Sequence, residues 1–255
     1  MLHRPAPCKL VWIVLTAGIA LTPQTLHSQY RKWSIAGSVG YAVLNLDAVD
    51  NKNQSDVEGW GRQGFPIGPF ASVKRPLFYS AGMVYRVDRE FGISLTGSHW
   101  SKTVSTSYND PYSSLLLDRG VASTDIVLGI AYYPSAQPFF LEWYVQANLG
   151  LAVARATGKA VGFQTEKTSR VATTVQFVDT DGMLKKTRTS VGMSLGTNVP
   201  LFHGISLNAE AGYRFAQVGS MEGSVTRFGE TTAETTTMEF DYSGFLLTAG
   251  IRLVL

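Results

Sequence analysis

From about residue 32 onward the chain alternates. Large apolar side chains take every second position, and Gly, Ala, Ser, Asn and a few charges fill the places between. Period two is the signature of strands with two unlike faces. The run 141–153 shows it most clearly. Leu141, Trp143, Val145, Ala147, Leu149, Leu151 and Val153 share one face, while Glu142, Tyr144, Gln146, Asn148 and Gly150 share the other. Seven further segments read the same way, at about 32–46, 76–88, 91–104, 123–133, 187–199, 205–217 and 244–255. A soluble sandwich would point its large side chains at a core between sheets. Here the second face is too slight to cover such a core. It suits the cramped interior of a narrow barrel whose large side chains meet lipid.

The connections strengthen this reading. Short links at Asp88–Glu90, Pro134–Pro138 and Pro200–Gly204 rotate with long ones at 47–75, 105–122, 158–186 and 218–241. Short turns at one end and long loops at the other are the habit of membrane barrels. An even number of strands puts both termini on the short-turn side. Asp179-Thr180-Asp181-Gly182 reads as the tip of a tight hairpin, so the fifth and sixth strands are expected to continue beyond the membrane. The Thr- and Glu-rich stretch from Glu230 is expected to do the same. Aromatic girdles are expected at both interfaces: Trp33, Phe91, Tyr132, Phe139, Phe140, Trp143 and Phe202 at one, Phe78, Tyr79, Trp100, Phe240, Tyr242 and Phe245 at the other.

Residues 1–28 carry Arg4 and Lys9 before a 12-residue apolar run, Leu10–Leu21. That is too short for a membrane helix and fits a cleaved secretory signal. The barrel domain is then 29–255. Cys8 precedes the apolar run, so a lipid-anchoring role is not expected, and the remainder has no cysteine. A single cysteine among 255 residues excludes a disulfide scaffold. A formal charge of +3 gives no reason to expect nucleic acid.

Together these segments resemble the small eight-stranded bacterial outer-membrane barrels, in particular the transmembrane domain of outer-membrane protein A and its short relatives. The terminal run from Gly244 carries the likeness furthest. Phe245, Leu247, Ile251, Leu253 and Leu255 resemble the C-terminal signal read by the barrel-insertion machinery, although the family commonly ends on an aromatic residue. The resemblance implies an all-β, up-and-down transmembrane barrel with periplasmic termini and long extracellular loops. It also implies contact with outer-membrane lipid and lipopolysaccharide.

Six charged residues share the interior phase: Arg86, Asp125, Glu142, Glu210, Arg214 and Arg252. An interior of eight strands is just wide enough for side chains to fill it. The expectation is a closed, ion-paired plug; a pore gate is the alternative. No catalytic, cofactor or metal site is expected. Ser98 and His99 are strand neighbours and so point to opposite faces. Asp179 and Asp181 lack the further ligands of a calcium loop. Lys159, Lys167, Arg170, Lys185 and Lys186 are either contacts for lipopolysaccharide phosphates or, as favoured here, scattered surface charges. The expected role is structural or interactive, with surface proteins meeting loops 47–75, 158–186 and 218–241. A narrow channel for small or hydrophobic solutes and an accessory subunit of a larger complex are the alternatives. A lipid-modifying enzyme is a more distant one.

Overall fold

The computed structural model describes residues 33–135, 141–168, 171–202, 204–236 and 238–255, the side chains of 166–168 and 171–172 excepted. The expected signal 1–28, part of the link at 134–138 with Phe139 and Phe140, and His203 lie outside them.

The strands are β1 (Trp33–Leu44), β2 (Leu77–Arg86), β3 (Phe91–Asn109), β4 (Ser113–Tyr132), β5 (Glu142–Thr168), β6 (Val171–Phe202), β7 (Ile205–Phe215), β8 (Gln217–Gly219), β9 (Glu222–Arg227), β10 (Glu230–Thr235), β11 (Phe240–Asp241) and β12 (Gly244–Val254). One helix, α1 (Asp47–Arg62), lies between β1 and β2. Eight strands pair in the order β6-β5-β4-β3-β2-β1-β12-β7, and β7 returns to β6 to close the ring. Every pairing in the ring is antiparallel. The fold is therefore an up-and-down transmembrane barrel, as the alternation requires.

The lower part of the barrel is inside-out. Tyr41, Ile126, Leu149, Met193 and Leu247 stand exposed on the outer wall, while Ser34, Ser94, Ser194 and Asn198 are buried within. β1, β2, β7 and β12 have 12, 10, 11 and 11 residues, about what a tilted strand needs to cross the hydrocarbon. β3, β4, β5 and β6 run to 19, 20, 27 and 32 residues and stand well clear of it.

Along these tall strands the two faces exchange character. On β3 the outer wall reads Phe91, Ile93, Leu95, then His99, Ser101, Thr103. The inner wall reads Ser94, Thr96, Ser98, then Trp100 and Val104, both buried. β4 and β5 switch at the same height, past Ile126 and past Val153. Below the switch the solvent outside is lipid; above it the solvent is water, and ordinary hydrophobic burial resumes.

The upper half is thus a tall curved sheet wrapped around its own core. β9 adds to β6 at 180–185, and β10 pairs with β9. Phe228 and Gly229 join β9 to β10 with φ of 49° and 83°, the mirror-image turn that suits strand twist. Helix α1 and the segment after it pack within the sheet's curve. Trp60, Phe65 and Phe177 stack there beside Leu115, Leu117 and Ile67. α1 has Asp47 and Asp50 in its first turn and Arg62 in its last, both favourable to the helix dipole.

Three expectations change. Asp179–Gly182 is not a hairpin tip. Those residues lie inside the ladder, where Asp179 faces Val161 and Gly182 faces Gly158. The strands do continue beyond the membrane, and their ladder runs on to the pair Thr168–Val171. The link 105–122 is mostly strand, closed by a turn between Asn109 and Ser113. Finally, Phe78, Trp100, Phe240 and Tyr242 are buried inside the barrel and do not belong to a girdle. Phe78 and Trp100 share the inward parity of Ser80 and Ser98. The outer aromatics are pairs such as Trp33–Tyr85, Phe91–Tyr132 and Tyr213–Phe245.

Candidate functional site: the charged lumen

The six interior charges face inward, but they form two groups. The lower group sits at the short-turn end. Arg86 ends β2, Glu142 opens β5 and Arg252 lies near the end of β12, so three strand termini meet there. Arg86 pairs with Glu142, lies 3.1 Å from the Tyr133 ring centroid and donates to the Arg89 carbonyl at 3.1 Å. Arg252 approaches the same carboxylate at 4.0 Å and donates to Ser34 Oγ at 2.8 Å. Asn198 donates at 2.8 Å to Glu142 Oε2, the oxygen Arg252 approaches, while Arg86 holds Oε1.

From there a relay crosses the lumen. Asn208 donates to Asn198 Oδ1 and to the Tyr144 hydroxyl, each at 3.0 Å. Tyr144 in turn donates to Glu210 at 2.8 Å. Glu210 therefore rests on a phenol and makes none of the ion pairs found among the described residues.

The upper group is Asp125 and Arg214, paired and almost fully buried. Ser123 donates to Asp125 at 2.8 Å and Ser98 at 3.3 Å. Arg214 also donates to the Tyr242 carbonyl at 2.9 Å. A buried pair is costly unless further hydrogen bonds satisfy it, and these do so for both carboxylate oxygens and both terminal guanidinium nitrogens, leaving Arg214 Nε without a partner among the described residues. Trp100 packs edge-on against Tyr242 directly above, with centroids 5.0 Å apart. Leu44, Leu46, Val49, Val73, Val218 and Met221 continue that apolar mass toward the long-link end.

Between the two groups lies a cavity of about 140 Å³, reached by Ser94, Thr96, Gln146, Asn148, Ser194 and Thr248. That falls below the roughly 300–1,000 Å³ of small-molecule sites. A polar network thus lies below this cavity and an apolar core above it.

Tyr133, Tyr144, Asn198 and Asn208 complete the network but were not singled out by charge. Tyr144, Asn198 and Asn208 carry the interior parity in sequence, which was the available signal. Tyr133 follows the end of β4, where alternation alone does not place it. His99 faces outward and shares a 2.9 Å hydrogen bond with Thr124, whereas Ser98 faces Asp125. Phe245, Leu247, Ile251, Leu253 and Leu255 are all exposed on the outer wall. The first four lie on β12, the strand that pairs with both β1 and β7.

No family model matches the sequence, and no curated protein matches it. Solved structures do. A major outer-membrane protein from Thermus thermophilus aligns over 87% of this chain and 98% of its own, at 11% identity and a TM-score of 0.52. Neisserial surface protein A aligns over 88% and 96%, at 13% identity and a TM-score of 0.42. OprG from Pseudomonas aeruginosa aligns over 87% and 94%, at 12% identity and a TM-score of 0.42. At such identity the Thermus match shows the fold alone, and with its closed ring of eight strands the chain has the fold of a small outer-membrane β-barrel.

Proposed function

We propose that this chain is a closed barrel of the bacterial outer membrane with a structural and surface-interaction role, and that it is not an enzyme. The double stopping of the lumen carries the reading. A channel needs a continuous wet path, and here the six interior charges are held by partners while an apolar core covers them. The tall sheet β3–β6, extended by β9 and β10, is the part of the molecule built to meet something outside the membrane. In this reading the long-link end faces the cell exterior, both termini face the periplasm, and β12 is presented to the insertion machinery.

Two measurements test it. The folded protein in a planar bilayer should give no steady single-channel steps; reproducible steps would favour a narrow channel. In intact cells a Glu230→Cys variant, placed at the start of β10, should react with a membrane-impermeant maleimide. Labelling only after lysis would overturn the orientation.

A further inference from the structure

We infer that the outer wall at the β5–β6 seam holds the phosphate of a phosphorylated glycolipid of the lipid A kind, through Arg155 and Lys185. The inference rests on the membrane reading above and adds a ligand to it.

Three observations support it. The first is height. Leu149, Leu151 and Val153 form the apolar outer face of β5, and Arg155 is the next outward residue above them. On β6 the outward series is Leu195, Met193 and Val191, then Thr189, Thr187 and Lys185. Both cations are exposed where the hydrocarbon ends and headgroups begin.

The second is charge. Arg155 and Lys185 are direct cross-strand partners. Like charges directly opposite each other repel, and none of the ion pairs among the described residues relieves either one. β9 places Glu222 across from Lys185, without an ion pair between them, so the row keeps an excess positive charge. A phosphate oxygen between guanidinium and ammonium would turn that repulsion into charge-assisted hydrogen bonding. The backbone at Arg155 is already fixed, because its carbonyl accepts the Tyr242 hydroxyl at 3.1 Å.

The third is what lies around the pair. Thr157 and Thr187 flank it on the outer face, and Ser101, Thr103 and Ser105 line the same face of β3. Thr157, Thr103 and Ser105 set hydroxyls above the pair, with Thr187 below it and the exposed Met183 beyond Lys185, and this hydroxyl face suits a sugar headgroup better than a simple phospholipid. Among the described side chains of this hairpin the other basic residues do not join the site, and Arg188 donates inward to the Val218 carbonyl at 3.4 Å. Lys159 is flanked in register by Asp118 and Asp181, and Lys186 donates inward to the Ser220 carbonyl at 2.6 Å. Lys167 and Arg170 lie outside the described side chains.

The test uses the folded barrel in detergent with three probes: diphosphoryl lipid A, its dephosphorylated form and phosphatidylglycerol. Native mass spectrometry counts the lipid retained. The wild type should retain diphosphoryl lipid A. Arg155→Gln with Lys185→Gln should weaken retention at least tenfold, and Lys159→Gln should leave it unchanged. Unchanged retention in the double variant overturns the site. Equal retention of the dephosphorylated form overturns the phosphate, and equal retention of phosphatidylglycerol overturns the glycolipid. Heat-modifiable gel migration of each variant reports that the barrel is folded. Its absence in the wild type would overturn the membrane reading, and this inference with it.

Discussion

Asp125 and Arg214 show how much of this barrel depends on pairing inside a space without bulk water. Asp125 is 1% exposed and Arg214 is 5% exposed, so neither can turn to solvent if the other is removed. Asp125→Ala should therefore cost about 3–5 kcal/mol, the usual penalty for orphaning a buried charge. Replacing both, as Asp125→Leu with Arg214→Met, should cost far less, because no charge is left behind. Urea unfolding in detergent, followed by the shift between folded and unfolded bands on a gel, measures both. Equal losses in the single and double variants would show that volume matters here and pairing does not. Glu142 differs in degree. Its side chain is 37% exposed, yet Arg86, Arg252 and Asn198 all turn to it. Glu142→Ala should lose about 1–3 kcal/mol by the same assay, since partial solvation softens the loss.

The β3–β4 hairpin carries its own titratable clasp. Asp110 receives the Tyr108 hydroxyl at 2.6 Å, the Tyr112 and Ser113 amides at 2.7 Å, and the Ser113 hydroxyl at 2.9 Å. The Tyr108 hydroxyl, then the Tyr112 amide and the Ser113 hydroxyl, hold its carboxyl down at about 2. A depressed carboxylate stabilises the folded turn above its ordinary value of 3.8, and that contribution is lost as pH falls through about 2. Carbon-detected NMR of the Asp110 carboxyl should give a midpoint near 2 (a midpoint near 4 would show that the clasp is open in solution). The clasp lies beyond what alternation predicts, and the reason applies to the whole upper half. Period two marks a strand wherever its two faces differ, so the ring was legible from Trp33 to Leu255. Above the membrane the apolar face turns inward. A phase read from Leu95 or Leu151 as lipid-facing cannot show that Trp100 belongs to a core. Helix α1 was hidden for a different reason. It is polar, contains two glycines and buries little beyond Val49 and Asn53, so no apolar stripe betrayed it. Asp181-Gly182 resembled a turn because local turn chemistry was strong; the partners Lys159 and Gly158 on β5, and Thr226 and Val225 on β9, keep it in the ladder. The lumen charges were legible by parity, but their division into two groups depends on strand stagger, which no single strand records.

In the proposed closed barrel the two stoppers act in series, and this makes the closed reading testable on the whole molecule. Current through a lumen is limited by its narrowest part, so removing one stopper leaves the other in control. The lower stopper depends on Glu142, the group that Arg86, Arg252 and Asn198 share. The upper one draws Leu46, Val49 and Val73 from the link between β1 and β2. That link can be replaced, because Leu44 already donates to the Lys74 carbonyl at 2.9 Å and the two strands lie side by side. Shortening 46–73 to a glycine-rich turn changes loop-closure entropy only slowly with length, so the ring should still form. Glu142→Ala alone should leave a planar bilayer silent, and so should the shortened link alone. The two changes together should give discrete conductance steps, with heat-modifiable migration showing that each variant is folded. Steps from either single change would mean that one stopper governs closure. Silence from the combined variant would place the block at the Asp125–Arg214 pair or at the apolar residues above it that both changes leave in place, Trp100, Tyr242, Val218 and Met221.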